Sequence, residues 1–219
     1  MIPSTDVGDQ NTATTVTTID LLRHGQCEGG HCYRGSLDVA LSQIGQQQMF
    51  QRLSLLSPQW QGIVSSPLVR CADFAKSVAE QYAIPLQIDD RFKEVGFGEW
   101  EGKHIDEVWR TQQALVEAWG NDPVTYSPPD GEPADRFVER VVRGFEAVVD
   151  TYSSKPLLLV SHGGVIRALL VHILSMPVIT MNRLDVPFAC LSRIQVIDSQ
   201  GERYYRLLHH NITGSISSS

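Results

Sequence analysis

The stretch that decides the fold is "TTIDLLRHGQCEGG", Thr17–Gly30, in which an apolar run breaks abruptly into Arg23-His24-Gly25. Val16 to Leu22 alternates and then runs apolar, the pattern of a strand buried on both faces of a parallel sheet. Such a strand needs a covering helix on each side, and its carboxyl end opens where loops and helix N-termini converge on ligands. A cation and an imidazole at that end are therefore placed for chemistry.

Working outward, the same grammar repeats. Leu41 to Ser57 carries Leu41, Ile44, Met49, Leu53 and Leu56 at roughly helical spacing with Ser42 as a cap, which predicts a first crossover helix. Ile63 and Val64 form a short strand, Ser66-Pro67 opens a helix, and Leu86 to Ile88 begins another strand. From about Gly96 to Ser153 the character changes. That region holds Trp100, Trp109 and Trp119, a Pro-rich break "DPVTYSPPDGEP", and helical patterns at Lys103 to Trp119 and Ala134 to Tyr152. "PLLLVSHGGVIRALLVHIL" then restores the theme, a buried strand stopping at Ser161-His162-Gly163-Gly164 and turning into a helix. The end reads as a hairpin around Ser199-Gln200-Gly201. The expected fold is a three-layer α/β/α sandwich, mostly parallel, with a small helical cap inserted at about 96–153. One domain is expected over 16–213, between a disordered tail at 1–15 and a flexible tail at 214–219.

Composition narrows the partners. With 219 residues the chain suits one substantial core. A net charge of -7 and no Lys/Arg run argue against nucleic-acid or anionic-membrane binding, which leaves a small molecule as the expected ligand. No apolar segment approaches a membrane span, and the first fifteen residues lack a secretory pattern, so a cytoplasmic monomer or homodimer is expected. Cys27, Cys32, Cys71 and Cys190 are irregularly spaced, which signals neither a disulfide framework nor a zinc site. A catalytic thiol at Cys27 or Cys32 ranks below a histidine, because neither has a basic partner adjacent in sequence.

The polar residues at the strand ends form a joint pattern. Arg23 and His24 follow the first strand, Arg70 opens the helix after the second, and His162 with Gly163 and Gly164 follows the late strand. Arginine forks hold phosphate oxygens bidentately at any working pH. A neutral imidazole can attack phosphorus through one nitrogen while the other holds its proton on a carbonyl. Gly163 and Gly164 at a helix N-terminus add anion-seeking amides. No DxD, HExxH or Walker-type loop is present, so no metal and no cofactor is expected.

Four ordered blocks, "LLRHGQ" (Leu21 to Gln26), "SSPLVRC" (Ser65 to Cys71), "KEVGFGEWEG" (Lys93 to Gly102) and "VSHGGVIRAL" (Val160 to Leu169), resemble the histidine phosphatase superfamily, the phosphoglycerate-mutase-like group. The resemblance implies that His24 is phosphorylated, that Arg23 and Arg70 clamp the phosphate with His162 and Gly163, and that Glu94 is the proton donor to the leaving oxygen. The chain departs from the RHG-[Glu/Gln]-Thr-x-x-Asn pattern at Cys27 and Gly30, so Gln26 or Arg34 is expected to replace the missing Asn as a phosphate contact. A compact cap and short end favour a phosphatase over a mutase. "RFKEVGFGEWEG" (Arg91 to Gly102), the Trp-rich helix after it and "PPDGEPADRFVERV" (Pro128 to Val141) look most like the α-ribazole phosphatases, whose flat substrate suits a pocket lined by Trp100, Trp109 or other cap aromatics. A broad-specificity sugar-phosphate phosphatase or phosphoglycerate mutase, and a non-catalytic phospho-ligand binder, are the alternatives.

Overall fold

The computed structural model describes residues 14–56 and 59–214. Six strands form one sheet: β1 (Thr15–Arg23), β2 (Gly62–Ser65), β3 (Leu86–Ile88), β4 (Leu157–Ser161), β5 (Leu191–Ser199) and β6 (Glu202–His209), in the order β3-β2-β4-β1-β5-β6. The first four in that order are mutually parallel, and β5 and β6 are added antiparallel. Gln200 and Gly201 both take positive φ between β5 and β6, the backbone of a two-residue hairpin turn that matches strand twist.

Alternation along the central strands assigns the layers. Leu158 and Val160 of β4 and Leu22 of β1 pack under α1 (Gln43–Leu53) and α2 (Val69–Tyr82), through Met49, Leu53, Phe74 and Val78. Leu157 and Leu159, with Ile19 and Leu21, face the opposite side, covered by α4 (Ala134–Thr151) and α5 (Gly163–Ile173). Every β4 residue is buried, as a strand covered on both faces must be. Ser42 caps α1, its Oγ accepting from Gly45 N, as its position in the sequence predicts.

The expected insertion at 96–153 divides in two. Phe137, Val141, Phe145, Val148 and Val149 of α4 belong to the main core, so Ala134–Thr151 is a layer helix of the sandwich rather than part of a cap. The residues before it, including α3 (Ile105–Asn121), build a separate small cluster around Trp100, Val108 and Val116. The period of an amphipathic helix is the same whether it covers a sheet or a cap, so the sequence alone does not separate the two. β1 begins at Thr15, one residue inside the expected N-terminal tail; the remainder of that tail at 1–13, and 215–219 of the C-terminal one, lie outside the described residues.

The topology creates the site. β1 and β4 are neighbours, with Arg23 in register with Ser161, so the residues that follow them emerge side by side. The chain leaves β1 towards α1 on one face and leaves β4 into α5 on the other. A crevice opens where adjacent parallel strands send their connections to opposite faces.

Candidate active site

His24 and His162 meet at that crevice, with ring centroids 5.3 Å apart and nearly edge to face. His24 is tied to the neighbouring strand by its backbone N–H, which donates to Ser161 O at 2.9 Å. Its Nδ1 lies 2.8 Å from Gly25 O; a carbonyl only accepts, so Nδ1 carries the proton and the Nε2 lone pair is left free. Burial, then the charges of Arg23 and Arg70, holds its pKa well below the usual histidine range, so the ring is neutral at neutral pH. Gly25 must be glycine for a steric reason: a Cβ there would sit 2.1 Å from Gly45 O, where the loop crosses α1.

His162 is wholly buried and oriented differently. Arg70 Nε donates to its Nδ1 at 3.3 Å, and a guanidinium has no acceptor, so the ring proton is on Nε2, which donates to Ser66 Oγ at 2.7 Å. Burial and the Arg70 charge lower its pKa as well.

The arginines differ in how much of each is available. Arg70, also fully buried, spends Nη1 on Leu37 O and Nη2 on Arg34 O and Gly35 O, so it anchors the loop before α1 as well as facing His162. Arg23 donates Nη1 to Val186 O at 2.5 Å and stacks its guanidinium 4.4 Å from the Phe188 ring centroid, while its Nε is buried without a partner among the described residues. Arg34 donates Nη2 to Glu28 O and Gly30 O, and its Nε is likewise buried and unpartnered among them. Two charged donors left unsatisfied in a protein interior carry a desolvation cost that an oxyanion would remove. Gln26 has an exposed side chain, and its backbone ties the loop to α1: N–H donates to Gln48 Oε1, and O accepts from Ser42 N and Oγ.

Glu94 completes the group from the other side. Its Oε2 accepts from Gly164 N and its Oε1 from Val95 N, both at 3.0 Å, which pins the carboxyl to the N-terminus of α5. A Cβ on Gly164 would fall 2.3 Å from Oε1, so this approach requires glycine. The cations adjacent in sequence are engaged elsewhere, Arg91 with Asp89 and Lys93 with Asp90. Arg140 holds the Glu94 backbone in place, donating to Glu94 O while paired with Glu132.

Beside Glu94 lies a recess of about 60 Å³ walled by Phe97, Trp119, Phe137 and Met181, with Arg167 reaching into it. Trp100 and Trp109 do not line it, contrary to expectation: Trp100 is fully buried in the small cluster, its Nε1 donating to Gln112, and Trp109 is exposed on α3. Phe188, Ser66 and Arg167 are site residues that sequence reasoning missed. Arg167 was findable, since it lies four residues after Gly163 on the same helix face; Phe188, in a loop, carries no such signal.

The assembly offers an oriented, unprotonated imidazole nitrogen, buried cations, a helix N-terminus and a carboxyl group around one opening, the parts needed to receive and transfer a phosphoryl group. A family model described as histidine phosphatase superfamily (branch 1) matches residues 19–211. The bifunctional protein Rv2228c of Mycobacterium tuberculosis is 33% identical over 182 residues, 81% of this chain but 50% of that protein, so the chain spans about half the length of this relative. The adenosylcobalamin/alpha-ribazole phosphatase of Salmonella typhimurium is 30% identical over 183 residues, 81% of this chain and 90% of that one. The native structure of mycobacterial glucosyl-3-phosphoglycerate phosphatase Rv2419c superposes with a TM-score of 0.80 at 26% identity, covering 92% of this chain and 100% of that one. By the reach of the family match over residues 19–211, across all six strands and both histidine loops, the chain belongs to the histidine phosphatase superfamily.

Proposed function

We propose that this phosphatase works through a phosphohistidine at His24 and that its substrate is α-ribazole 5′-phosphate. In the first step His24 Nε2 attacks phosphorus, the P–O ester bond breaks, and Glu94 gives its proton to the departing oxygen. In the second, water attacks the phosphohistidine, Glu94 takes the water's proton, and the P–N bond breaks to release phosphate. Arg23, Arg34, Arg70, His162 and Gly163 surround the phosphoryl oxygens, Arg23 and Arg34 through the Nε donors that have no other partner.

The observation that carries the mechanism is the 2.8 Å contact of His24 Nδ1 with Gly25 O, which aims a free Nε2 into a cluster of cations. The substrate reading is supported by the aromatic wall of Phe97, Trp119 and Phe137 and by similarity to an alpha-ribazole phosphatase over nine-tenths of that protein's length. A phosphatase of sugar or glycerate phosphates is the second reading, favoured by the cation of Arg167 in the same recess. The test is the rate of phosphate release, with chelator present, from α-ribazole 5′-phosphate, sugar phosphates and 3-phosphoglycerate. A dominant kcat/KM for the first supports the substrate reading. A dominant value for another assigns the chain to that class. No release from any of them leaves a phospho-ligand binder.

A further inference from the structure

We propose that Arg167 recognises the leaving group, selecting phosphomonoesters that carry hydrogen-bond-accepting oxygens close to the ester. The inference rests on the phosphatase reading above and adds to it the side of the substrate that departs. Arg167 projects from the second turn of α5, so the helix that presents Gly163 and Gly164 to the site also presents this guanidinium to the recess beside Glu94. Its Nη1 lies 3.6 Å from the point that a Cβ on Gly163 would occupy, a point that Arg23 Nε approaches to 3.2 Å. Arg23 and Arg167 thus approach the same glycine.

What marks Arg167 is the absence of a carboxylate partner. Among the described residues it forms no ion pair, although it is half-buried; Arg140, in contact with the same wall, is neutralised by Glu132. Its Nε donates to Leu184 O at 2.8 Å, which fixes the plane of the fork, and the residue lines the recess. A cation held in this way, walled by Phe97, Phe137 and Met181, gains most from an oxygen brought in by a ligand. Because Glu94 lines the same recess and is the proposed donor to the ester oxygen, an oxygen that reaches Arg167 belongs to the leaving group, one or a few bonds from that ester. Pentose hydroxyls and a glycerate carboxylate meet this description. The ring of p-nitrophenyl phosphate offers nothing comparable near its ester.

The test compares kcat/KM for ribose 5-phosphate, 3-phosphoglycerate and p-nitrophenyl phosphate in the wild type, Arg167→Gln and Arg167→Lys, each checked for folding by circular dichroism. A bond to a charged group is worth about 10- to 100-fold, so in Arg167→Gln the two oxygen-bearing substrates should fall at least about 10-fold further than p-nitrophenyl phosphate. Arg167→Lys, which keeps the charge and loses the fork, should retain more activity on 3-phosphoglycerate than on ribose 5-phosphate. Equal losses on all three substrates would overturn the proposal and assign Arg167 to holding the Leu184 loop. No loss on any of them would overturn it outright. Should Arg167→Gln fail to fold, the order of substrates in Arg167→Lys decides. A wild type inactive on all three would refute the phosphatase reading itself, a result distinct from any change of ratio.

Discussion

Arg70 and His162 are buried against each other, and the 3.3 Å bond from Arg70 Nε sets the tautomer of His162. The same guanidinium holds the carbonyls of Arg34, Gly35 and Leu37, so one side chain couples the loop before α1 to the loop after β4. A lysine cannot reach these partners at once, because its ammonium is a single point on a flexible stem. Arg70→Lys should therefore lower kcat/KM by about 100-fold or more, the scale seen when a preorganised donor is removed. Ser66→Ala, which frees His162 Nε2 without moving Arg70, should cost less. Steady-state kinetics on the two variants separates tautomer control from loop anchoring.

Glu94 and Gly164 supply a test of proton donation. Gly164→Ala places a Cβ where Glu94 Oε1 lies, forcing the carboxyl off the helix N-terminus, and Glu94→Gln removes the transferable proton. Both should depress turnover of alkyl phosphates by about 100-fold or more, and p-nitrophenyl phosphate much less, since its leaving group departs without protonation. Equal losses on both substrate types would show that Glu94 acts only through structure.

His24 and His162 have consequences for stability. Both are held neutral in the fold by burial and by neighbouring arginines, whereas the unfolded chain protonates them below about pH 6.5. The unfolded state then binds more protons, so stability is full above that pH and declines as pH falls towards the depressed folded values. Each histidine contributes up to about 1.4 kcal/mol per pH unit. Urea unfolding at pH 7 and pH 5.5 should show this decline, and replacing both histidines by asparagine should flatten it.

Asp20 anchors the sheet beneath the site. It is buried in β1, accepts from Trp60 Nε1 at 2.8 Å and pairs with Arg193 through bonds of 2.7 and 2.9 Å. Asp20→Ala strands an indole N–H and a guanidinium together, so it should destabilise the fold by about 3–5 kcal/mol, the usual cost of breaking a buried pair. Chemical denaturation measures this directly.

Much of this was legible in the sequence because it follows from local pattern. The apolar runs at Val16–Leu22 and Leu157–Val160 could only be doubly covered strands, and Arg23, His24 and His162 stand directly at their ends. Glu94 needed the family resemblance, since its tie to Gly164 spans 70 residues. The placements of Phe188 against Arg23, of Trp100 away from the recess, and of α4 on the main sheet depend on how distant segments pack, which periodicity does not encode. Arg34 shows both sides. Its place beside the loop after β1 follows from the sequence, but not that Gly29 and Gly30, both at positive φ, would present that loop's carbonyls for it to hold.

The central claim is that phosphorus passes through His24 Nε2. Rapid acid-free quenching of the enzyme during turnover, followed by mass spectrometry of the peptide containing Arg23-His24-Gly25, tests it most directly. The account predicts a phosphorylated peptide whose modification is acid-labile, maps to His24, and is lost in His24→Ala together with activity. Turnover without any phosphorylated His24, or with activity surviving in His24→Ala, would contradict it.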